Sequence, residues 1–340
     1  MIREAIEKVI QNISLSESEM QTVMNEIMSG GTTDAQIASF ITALRMKGET
    51  IDEITGAARV MREKALKVNL QQDVVIDTCG TGGDKKGTFN VSTAAAFVAA
   101  ASGVKVAKHG NRSVSSKSGS ADVLEALGID INADSAKAEY LFKKTGMCFL
   151  FAPLFNRAMK YAVGPRKEIG IRTIFNMLGP LINPAGTKYQ LIGVYDGRLT
   201  DTIARVLHRL GSSSACVVHG SDATDEITLS GTTSISELRN GKVQSFTFDP
   251  RTYGYTLCSP EELKGGDAPY NAAIMKNILG GAKGPMRDMT EINSAFALFI
   301  TGMAESLEVA LVMARETIDS GKALKKLEEF RIESTGNAKP

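Results

Sequence analysis

The sequence predicts an α/β protein in which a large α/β domain with a central, mostly parallel sheet is joined to a small all-helical domain. A length of 340 residues is enough for two domains at about 150 residues each. The first 70 residues carry only helical patterns, and after them short apolar strands alternate with helices. We therefore expect the helical domain at residues 1–70 and the α/β domain at residues 71–340.

The N-terminal helices are predicted from their start signals and their apolar spacing. Capping boxes, in which a side chain and a backbone N–H satisfy each other at a helix start, fit Ser16 with Glu19, Thr33 with Gln36, and Thr50 with Glu53. Apolar residues recur at helical spacing, which gives each helix one apolar face. Four such short helices have little core of their own, so we expect them to pack on the rest of the chain or on another copy.

The α/β region is predicted from the strand–helix alternation that begins at residue 74. A buried strand at 74–76, an alanine-rich helix at 91–102 and a strand at 104–107 are joined by short loops, which favours parallel pairing. A strand at 191–195, a helix at 200–210 and a strand at 215–219 continue the pattern. Residues 220–260 read as irregular or antiparallel β structure, and two helices near 270–280 and 291–319 close the chain.

Composition and charge exclude several classes of protein. Lys and Arg total 39 against 38 Asp and Glu, so the net charge of +1 argues against a nucleic-acid-coating role. The four cysteines have no metal-ligand spacing, and we interpret them as reduced thiols. The charged N-terminal helix differs from a signal peptide, and the richest apolar stretch, 295–304, is about half the ~20 residues of a membrane span. We expect a soluble, cytoplasmic protein.

A glycine-rich loop follows the first predicted strand. It reads Asp77-Thr78-Cys79-Gly80-Thr81-Gly82-Gly83-Asp84, and its glycines allow backbone N–H groups to converge on an anion. Neither the Gly-Lys-Ser/Thr ending of a P-loop nor the third glycine of a dinucleotide fingerprint is present. Taken alone, the loop is equally consistent with ordinary turn chemistry.

Three further polar segments point to the same edge of the sheet. Residues 90–93 (Asn-Val-Ser-Thr) lie at a helix start, where the helix dipole favours phosphate. Residues 108–113 follow the second strand, and the serine-rich residues 115–120 lead into the next helix. Because ligands of α/β sheets bind at the carboxyl ends of strands, this pattern predicts a polyphosphate site rather than a solvated polar loop.

Adjacent carboxylates follow the strand at 215–219. Asp225 and Glu226 would by themselves be expected to point apart into solvent. Beside a polyphosphate site they gain a function, since Mg²⁺ binds one or two carboxylates together with substrate oxygens. His208 and His219 have no partner at ligand spacing, and we interpret them as structural.

Together these segments resemble the anthranilate phosphoribosyltransferase family. The resemblance is collinear over nearly the whole chain, including the N-terminal helices. The motifs that carry it are 77–84, 90–93, 108–112, Gly119-Ser120-Ala121-Asp122-Val123-Leu124, Gly170-Ile171-Arg172-Thr173, Gly179-Pro180-Leu181-Ile182-Asn183-Pro184 and Asp225-Glu226.

This resemblance implies the transfer of a phosphoribosyl group from 5-phosphoribosyl 1-pyrophosphate to anthranilate, the second step of tryptophan biosynthesis. It implies Mg²⁺ as cofactor, with two ions, and a homodimer formed through the helical domain, with neither a nucleic-acid nor a membrane partner. It also implies that helices around 165–185 complete the helical domain.

The residue roles follow from the same resemblance. The donor-binding positions are Gly80, Gly83, Asp84, Thr88, Asn90, Val91, Ser92, Thr93, Lys108, Ser116, Gly119 and Ser120. The metal positions are Ser92, Asp225 and Glu226. The anthranilate-facing positions are Gly80, His109, Asn111 and Arg166. Lys108, His109 and Arg166 would act by orientation and electrostatics, and no residue is required as a general base.

Two stretches depart from the family pattern, both near the implied anthranilate entrance. Asn156-Arg157 stands where His-Pro is common, and residues 163–166 (Val-Gly-Pro-Arg) replace the usual Ala-Pro-Val-Arg. Two other functions stay open at this point. A pyrimidine nucleoside phosphorylase shares the fold and a related glycine loop, and a relative without synthetic activity would bind nucleic acid.

Overall fold

The computed structural model describes residues 1–84, 86–113 and 117–336. The four predicted N-terminal helices are present as α1 (Ile2–Ile10), α2 (Glu17–Met28), α3 (Asp34–Lys47) and α4 (Ile51–Lys64). All three predicted capping boxes form. At the start of α2, for example, Ser16 Oγ accepts the Glu19 N–H at 3.3 Å, and Glu19 Oε2 accepts the Ser16 N–H at 2.9 Å.

The first half of the α/β region alternates strands and helices as the pattern predicts. Its elements are β1 (Val75–Gly80), α5 (Val91–Ala101), β2 (Lys105–Gly110), α6 (Ser120–Ala126), α7 (Ser135–Thr145) and β3 (Met147–Phe151). A run of short helices then leaves the sheet: α8 (Ala152–Phe155), α9 (Lys160–Ile169) and α10 (Ile174–Leu178).

The second half returns to the sheet and ends in helices. Its strands and first helix are β4 (Tyr189–Gly193), α11 (Leu199–Arg209), β5 (Ser214–Gly220), β6 (Thr233–Arg239) and β7 (Lys242–Phe248). The closing helices are α12 (Ala268–Leu279), α13 (Pro285–Ile300), α14 (Leu307–Asp319) and α15 (Lys322–Thr335).

Seven strands of the described chain form one sheet in the order β3-β2-β1-β4-β5-β6-β7. The first five strands of that order are parallel, and β6 and β7 are antiparallel, which confirms the predicted mostly parallel sheet. From β1 the chain goes to β2 and β3 on one side, and it later goes to β4 and β5 on the other. The crevice between the carboxyl ends of β1 and β4 is therefore the topological switch point, where α/β sheets bind ligands.

Two large apolar clusters lie on opposite faces of the sheet, and a smaller third one packs on β1, β2 and β3. Alternate residues of one strand point to opposite faces, so Leu191 belongs to the cluster under α5 and α13, while Ile192 belongs to the other large cluster. This second cluster is continuous with the apolar faces of α1–α4 and with Ile174 and Phe175 of α10. The expectation that these helices have little core of their own is therefore wrong: Met24, Phe40 and Leu44 are fully buried within the helical part, and that core continues into the layer on one face of the sheet.

The structure corrects the end of the sequence-based assignment. The sequence pattern predicts one helix over 291–319, but α13 and α14 are separate because Gly302 adopts a left-handed φ of +72°, which ends the helix. Ser306 then starts α14 by accepting the Val309 N–H at 3.3 Å. The edge strand β3 and the last helix α15 are additions that the sequence pattern did not reveal. None of the helices in the described part of the chain has both the length and the apolar character that a bilayer crossing requires.

Candidate active site

The glycine loop lies at the switch point and is fixed to the neighbouring strand. Gly80 is paired with Gly193 of β4, and Thr81 donates its N–H to the Gly193 carbonyl at 2.8 Å. The Thr81 hydroxyl in turn accepts the Tyr195 N–H at 3.1 Å. A Cβ atom on Gly80 would lie 2.5 Å from Asp225 Oδ2, so only glycine allows this carboxylate to approach.

The adjacent carboxylates both turn toward the loop and the start of α5, instead of pointing apart. Asp225 Oδ2 accepts the Gly82 N–H at 2.8 Å, and Glu226 Oε1 accepts the Ser92 N–H at 3.2 Å. Burial raises the pKa of both carboxyls, and neighbouring negative charges raise it further. Such mutual repulsion is what a bound divalent cation relieves, so this all-oxygen donor set fits Mg²⁺.

The carboxylates do not form a complete metal cage by themselves. Among the described residues, a different group has the spacing of a metal site. It consists of Asp77, Cys79 and His109, whose ligand atoms lie within 4.8 Å of one another. Asp77 is already occupied, since its oxygens accept the His109 N–H at 3.0 Å and Asn183 Nδ2–H at 2.8 Å. We therefore assign that triad to the packing of the strand ends. At Asp225 and Glu226, substrate oxygens or water would have to complete a metal site.

Lys108 is the buried cation nearest the carboxylates and the start of α5. Only 3% of its surface is exposed, and its ammonium donates to the Thr78 carbonyl and, at 3.3 Å, to Ser92 Oγ. Lys108 also lowers the pKa of Glu226, against the larger effect of burial. The predicted donor-binding lysine and two predicted metal residues thus lie around one point.

The start of α5 carries polar groups that do not serve as caps. Asn90 occupies the N-cap position without a capping hydrogen bond; its amide donates to the Ser118 carbonyl at 3.3 Å and accepts from Asn271 at 3.0 Å. Thr93 Oγ1 is buried and has no hydrogen-bond partner among the described residues. The Val91 side chain lies fully in the core, so only its backbone is available to a ligand.

The remaining predicted donor positions are spread over three loops. Thr88 forms an isolated bridge with Lys264, and Asp84 Oδ1 accepts the Lys86 N–H at 3.1 Å. At the start of α6, Gly119 donates its N–H to Asp122 Oδ2 at 2.8 Å, and Ser120 Oγ donates to the Asn111 carbonyl at 3.3 Å. Ser116 lies outside the described residues.

The predicted anthranilate positions come from β2 and from the short helices after β3. His109 is buried, and its pKa is lowered to about 4, mainly by burial and also by Lys108, against the opposing hydrogen bond to Gly179. Asn111 is exposed, and its Oδ1 accepts the Arg112 N–H at 2.8 Å. The Arg166 guanidinium lies over the Phe175 ring at 5.3 Å, and it has no carboxylate partner in the part of the chain described. Burial lowers its pKa.

Several residues at the site were missed by sequence reasoning. Asn183 joins two strand ends, because its Nδ2 donates both to Asp77 and to the Ala107 carbonyl, each at 2.8 Å. Arg172 donates to the Gly83 carbonyl and stacks on the Tyr195 ring, 4.4 Å from its centroid. Asn183 and Arg172 belong to motifs that carried the family resemblance, which was the one available signal.

Two shallow cavities of about 270 and 330 Å³ lie elsewhere. They are lined by residues at or just before the strand starts, including Val74, Lys105 and Lys188, and so lie at the amino ends of β1, β2 and β4. Because this edge is opposite to the glycine loop, we do not assign them to the active site.

The helical bundle, the mostly parallel sheet and the polar groups at the carboxyl ends of its strands define the class of protein. The matching family models are the helical bundle domain of the glycosyl transferase family at residues 3–65 and its a/b domain at residues 72–324. Within that class, the chain belongs to the anthranilate phosphoribosyltransferase family.

Three relatives document this membership. The anthranilate phosphoribosyltransferase of Acetivibrio thermocellus is 55% identical over 330 residues, covering 97% of this chain and 96% of that protein. The crystal structure of the Thermus thermophilus enzyme matches with a TM-score of 0.92 at 38% identity, covering 98% of this chain and 99% of that one. The Saccharomyces cerevisiae enzyme in complex with PRPP and Mg matches with a TM-score of 0.90 at 28% identity, covering 98% of both chains.

Proposed function

We propose that this protein transfers the phosphoribosyl group of 5-phosphoribosyl 1-pyrophosphate to anthranilate. The products are N-(5-phosphoribosyl)anthranilate and pyrophosphate, in the second step of tryptophan biosynthesis from chorismate. The observation that carries the proposal is a set of hydrogen bonds at the switch point of the sheet: Ser92 bonds both Lys108 and Glu226, and Asp225 bonds the glycine loop at Gly82. A relative that is 55% identical bears the corresponding name.

The donor side is built to stabilise a departing anion. When pyrophosphate leaves C1 of the ribose, negative charge grows on its oxygens and an oxocarbenium-like cation is left, as in glycoside cleavage. The Lys108 ammonium and the positive end of the α5 dipole are preorganised positive groups for that anion, beside the glycine loop whose Gly82 N–H holds Asp225. We assign the donor to Gly80, Gly83, Asp84, Thr88, Asn90, Val91, Ser92, Thr93, Lys108, Ser116, Gly119 and Ser120.

Mg²⁺ is the cofactor, and we propose Ser92, Asp225 and Glu226 as the residues that hold it. When bound, it supplies positive charge to the pyrophosphate oxygens. We propose two ions, because two carboxylates point to different neighbours, Asp225 to Gly82 and Glu226 to Ser92. The hydrogen bonds from these two backbone N–H groups keep the carboxylates aimed at the donor.

The acceptor side binds and orients anthranilate without a general base. Arg166 keeps its guanidinium free of carboxylates from the described residues, and a guanidinium binds a substrate carboxylate in bidentate fashion. An aniline-type amine is nucleophilic in its neutral form, so positioning behind C1 is the main requirement. The neutral, buried His109 borders this position together with Gly80 and Asn111.

The assembly and the domain division are further parts of this proposal. We propose a homodimer through the helical domain, supported by the exposed apolar side chains of Ile10 and Met46, which are 67% and 84% exposed. Residues 1–70 with the helices around 165–185 would form that domain, since Ala162 and Ile174 share its apolar cluster. Residues 71–340 would form the large domain. A cytoplasmic location suits a phosphorylated donor, which does not cross membranes unaided.

The test is the loss of anthranilate fluorescence on addition of 5-phosphoribosyl 1-pyrophosphate and Mg²⁺, with pyrophosphate release measured in parallel. We expect one pyrophosphate per anthranilate consumed and no reaction without metal. Phosphate-dependent release of ribose 1-phosphate from a pyrimidine nucleoside would favour a nucleoside phosphorylase instead. Salt-dependent DNA binding without any transfer would favour the nucleic-acid-binding alternative.

A further inference from the structure

Asn156 contacts the His109 ring from the segment that departs from the family pattern. It lies between α8 and the 3₁₀ turn at Arg157–Met159, with 5% of its surface exposed. Its Nδ2 is 3.4 Å from His109 Nε2. Its Oδ1 is buried without a hydrogen-bond partner in the described part of the chain. A buried oxygen without a hydrogen bond lowers the stability of the fold, and an apolar side chain would not carry this free-energy cost. The group that the amide contributes is therefore its N–H, which contacts His109.

The other ring nitrogen of His109 determines which way the Asn156 amide must point. His109 Nδ1 lies 3.1 Å from the Gly179 carbonyl oxygen, which can only accept. The proton is therefore on Nδ1, and in the neutral ring Nε2 is an acceptor. The only part of an asparagine amide that can satisfy Nε2 is the Nδ2–H group. The observed contact is thus a hydrogen bond from Asn156 to His109.

The groups around the ring favour its neutral form. Lys108 is the neighbouring positive charge, and it opposes protonation of His109. Asp77 has a pKa raised by burial to about 6, so it is ionised at neutral pH, and its oxygens accept the His109 backbone N–H and the Asn183 amide. Burial also raises the pKa of the adjacent Cys79 thiol, so it carries no charge. On the α8 side, Asn156 presents a neutral donor.

We propose that Asn156 is a positioning residue that locks His109 in its neutral Nδ1–H tautomer by donating to Nε2. Gly179 on one side and Asn156 on the other then fix the plane of the imidazole, which cannot rotate or take up a proton without breaking one of the two bonds. The consequence for catalysis rests on the proposed function: a ring fixed in this way gives anthranilate a rigid, uncharged wall, and it leaves carboxylate recognition to Arg166.

The tautomer is tested by ¹⁵N NMR of the full chain labelled at its three histidines. Protonated and unprotonated imidazole nitrogens have distinct shifts, and the chain contains only His208 and His219 besides His109. In the unmodified protein we expect His109 to be protonated at Nδ1 alone from pH 5.5 to 8. Protonation of Nε2, or a fast average of both tautomers, would overturn the proposal without any variant.

Variants test the role of Asn156. In Asn156→Asp the carboxylate can only accept, so we expect Nε2 to become protonated and the pKa of His109 to rise by at least one unit. Asn156→Leu removes the donor and should raise this pKa less. Asn277→Asp, at an exposed position on α12, adds the same charge elsewhere and should leave the His109 signals unchanged. An unaltered His109 spectrum in a folded Asn156→Asp protein would overturn the proposal.

Kinetics separate this inference from the proposed function. For Asn156→Asp we expect kcat/KM for anthranilate to fall about tenfold, with KM for the phosphoribosyl donor unchanged, since Lys108 and His109 are consecutive residues of β2 and their side chains point to opposite faces of the sheet. Equal losses for both substrates would contradict a positioning role on the acceptor side. If the unmodified protein consumes no anthranilate, the proposed function fails, while the NMR result still decides the tautomer.

Discussion

The proposed donor and acceptor sides of the site are built from different parts of the fold. The donor side consists of strand ends and of the loops that follow them, joined across the sheet by hydrogen bonds such as Gly82 to Asp225 and Ser92 to Glu226. The acceptor side comes largely from the short helices α8 to α10, which leave the sheet after β3. Its main cation, Arg166, is held by its helix and by the Phe175 ring.

The charged groups of the two sides therefore have different surroundings. On the donor side, the charged groups are held by hydrogen bonds to neutral groups before any ligand binds: Asp225 and Glu226 accept backbone N–H groups, and Lys108 donates to a carbonyl and a hydroxyl. On the acceptor side, the half-buried Arg166 guanidinium has no carboxylate partner among the described residues, so its anion would be the substrate. Donor-side substitutions should therefore reduce the rate of the chemical step, and acceptor-side substitutions should act on anthranilate affinity. The following predictions test that separation.

The largest effect is expected for Lys108→Met. This change removes the buried cation from the departing pyrophosphate and leaves the Thr78 carbonyl and Ser92 without their donor. We expect kcat to fall about 10²–10³-fold, as for the loss of one preorganised donor to a developing anion. Lys105→Met, at the opposite end of the same strand, is the control and should retain kcat. A kcat within threefold of the unmodified protein for Lys108→Met would break the comparison.

The next effect is expected for Arg166→Gln. Loss of a charge-assisted pair with a carboxylate costs about 1.5–3 kcal/mol, so KM for anthranilate should rise about 10–100-fold. KM for the phosphoribosyl donor should change less than about twofold, because the donor contacts are on the strand ends. Lys167→Gln on the same helix is exposed and serves as the control. An equal rise in both KM values would show that the two sides are not separable.

A smaller effect is expected for Arg172→Met, which cuts the contact between the two sides. Arg172 lies between α9 and α10, yet it donates to the Gly83 carbonyl of the glycine loop. Because the group is only half-buried, we expect a loss of about 1 kcal/mol, seen as a rise of about fivefold in KM for both substrates. Steady-state kinetics with each substrate varied in turn measure this. A change confined to anthranilate would assign Arg172 to the acceptor side alone.

The smallest effect is expected for the stabilisation of the fold by Mg²⁺, which should depend on pH through Asp225 and Glu226. The raised pKa of Asp225 and Glu226 means that the folded chain keeps protons which the unfolded chain releases above about pH 4. The free energy of unfolding therefore falls as pH rises toward the folded pKa values. Mg²⁺ binds the ionised pair, so it should raise Tm by about 2–4 °C more at pH 8 than at pH 6.

Thermal unfolding with and without Mg²⁺ at both pH values checks this. The double variant Asp225→Asn, Glu226→Gln lacks both titrating carboxyls, and its Tm should respond to Mg²⁺ equally at the two pH values. If Mg²⁺ raised the Tm of the unmodified protein equally at pH 6 and pH 8, the metal would have to bind away from this pair.

The donor side was largely predictable because its signal is local in sequence. A strand, a glycine loop and a helix start follow one another within residues 74–93, and parallel pairing brings their ends to one edge. The same reasoning located Lys108 at the end of β2 and the carboxylates after β5. It could not give the bonds between them, such as Asp225 to Gly82, which join residues 143 positions apart.

The acceptor side was less predictable for a physical reason. Residues 152–183 fold into turns and helices of at most ten residues, whose apolar patterns are too short to indicate where they pack. Nothing in the pattern therefore places Asn156 against His109 or Asn183 against Asp77. The break of the expected 291–319 helix at Gly302 has a similar origin, because one left-handed residue outweighs a continuous apolar pattern. The family resemblance indicated that residues 156–157, 163–166, 170–173 and 179–184 belong to the site, but only the structure gives their contacts.

The central claim is that donor and acceptor meet at the switch point between β1 and β4, and one crystal structure tests it directly. The complex should contain 5-phosphoribosyl 1-pyrophosphate, Mg²⁺ and an anthranilate analogue without a nucleophilic amine. We predict pyrophosphate oxygens at Lys108 and the glycine loop, metal at Asp225 or Glu226, and the analogue's carboxylate at Arg166. Pyrophosphate bound away from the glycine loop, or an analogue bound away from both His109 and Arg166, would contradict the account.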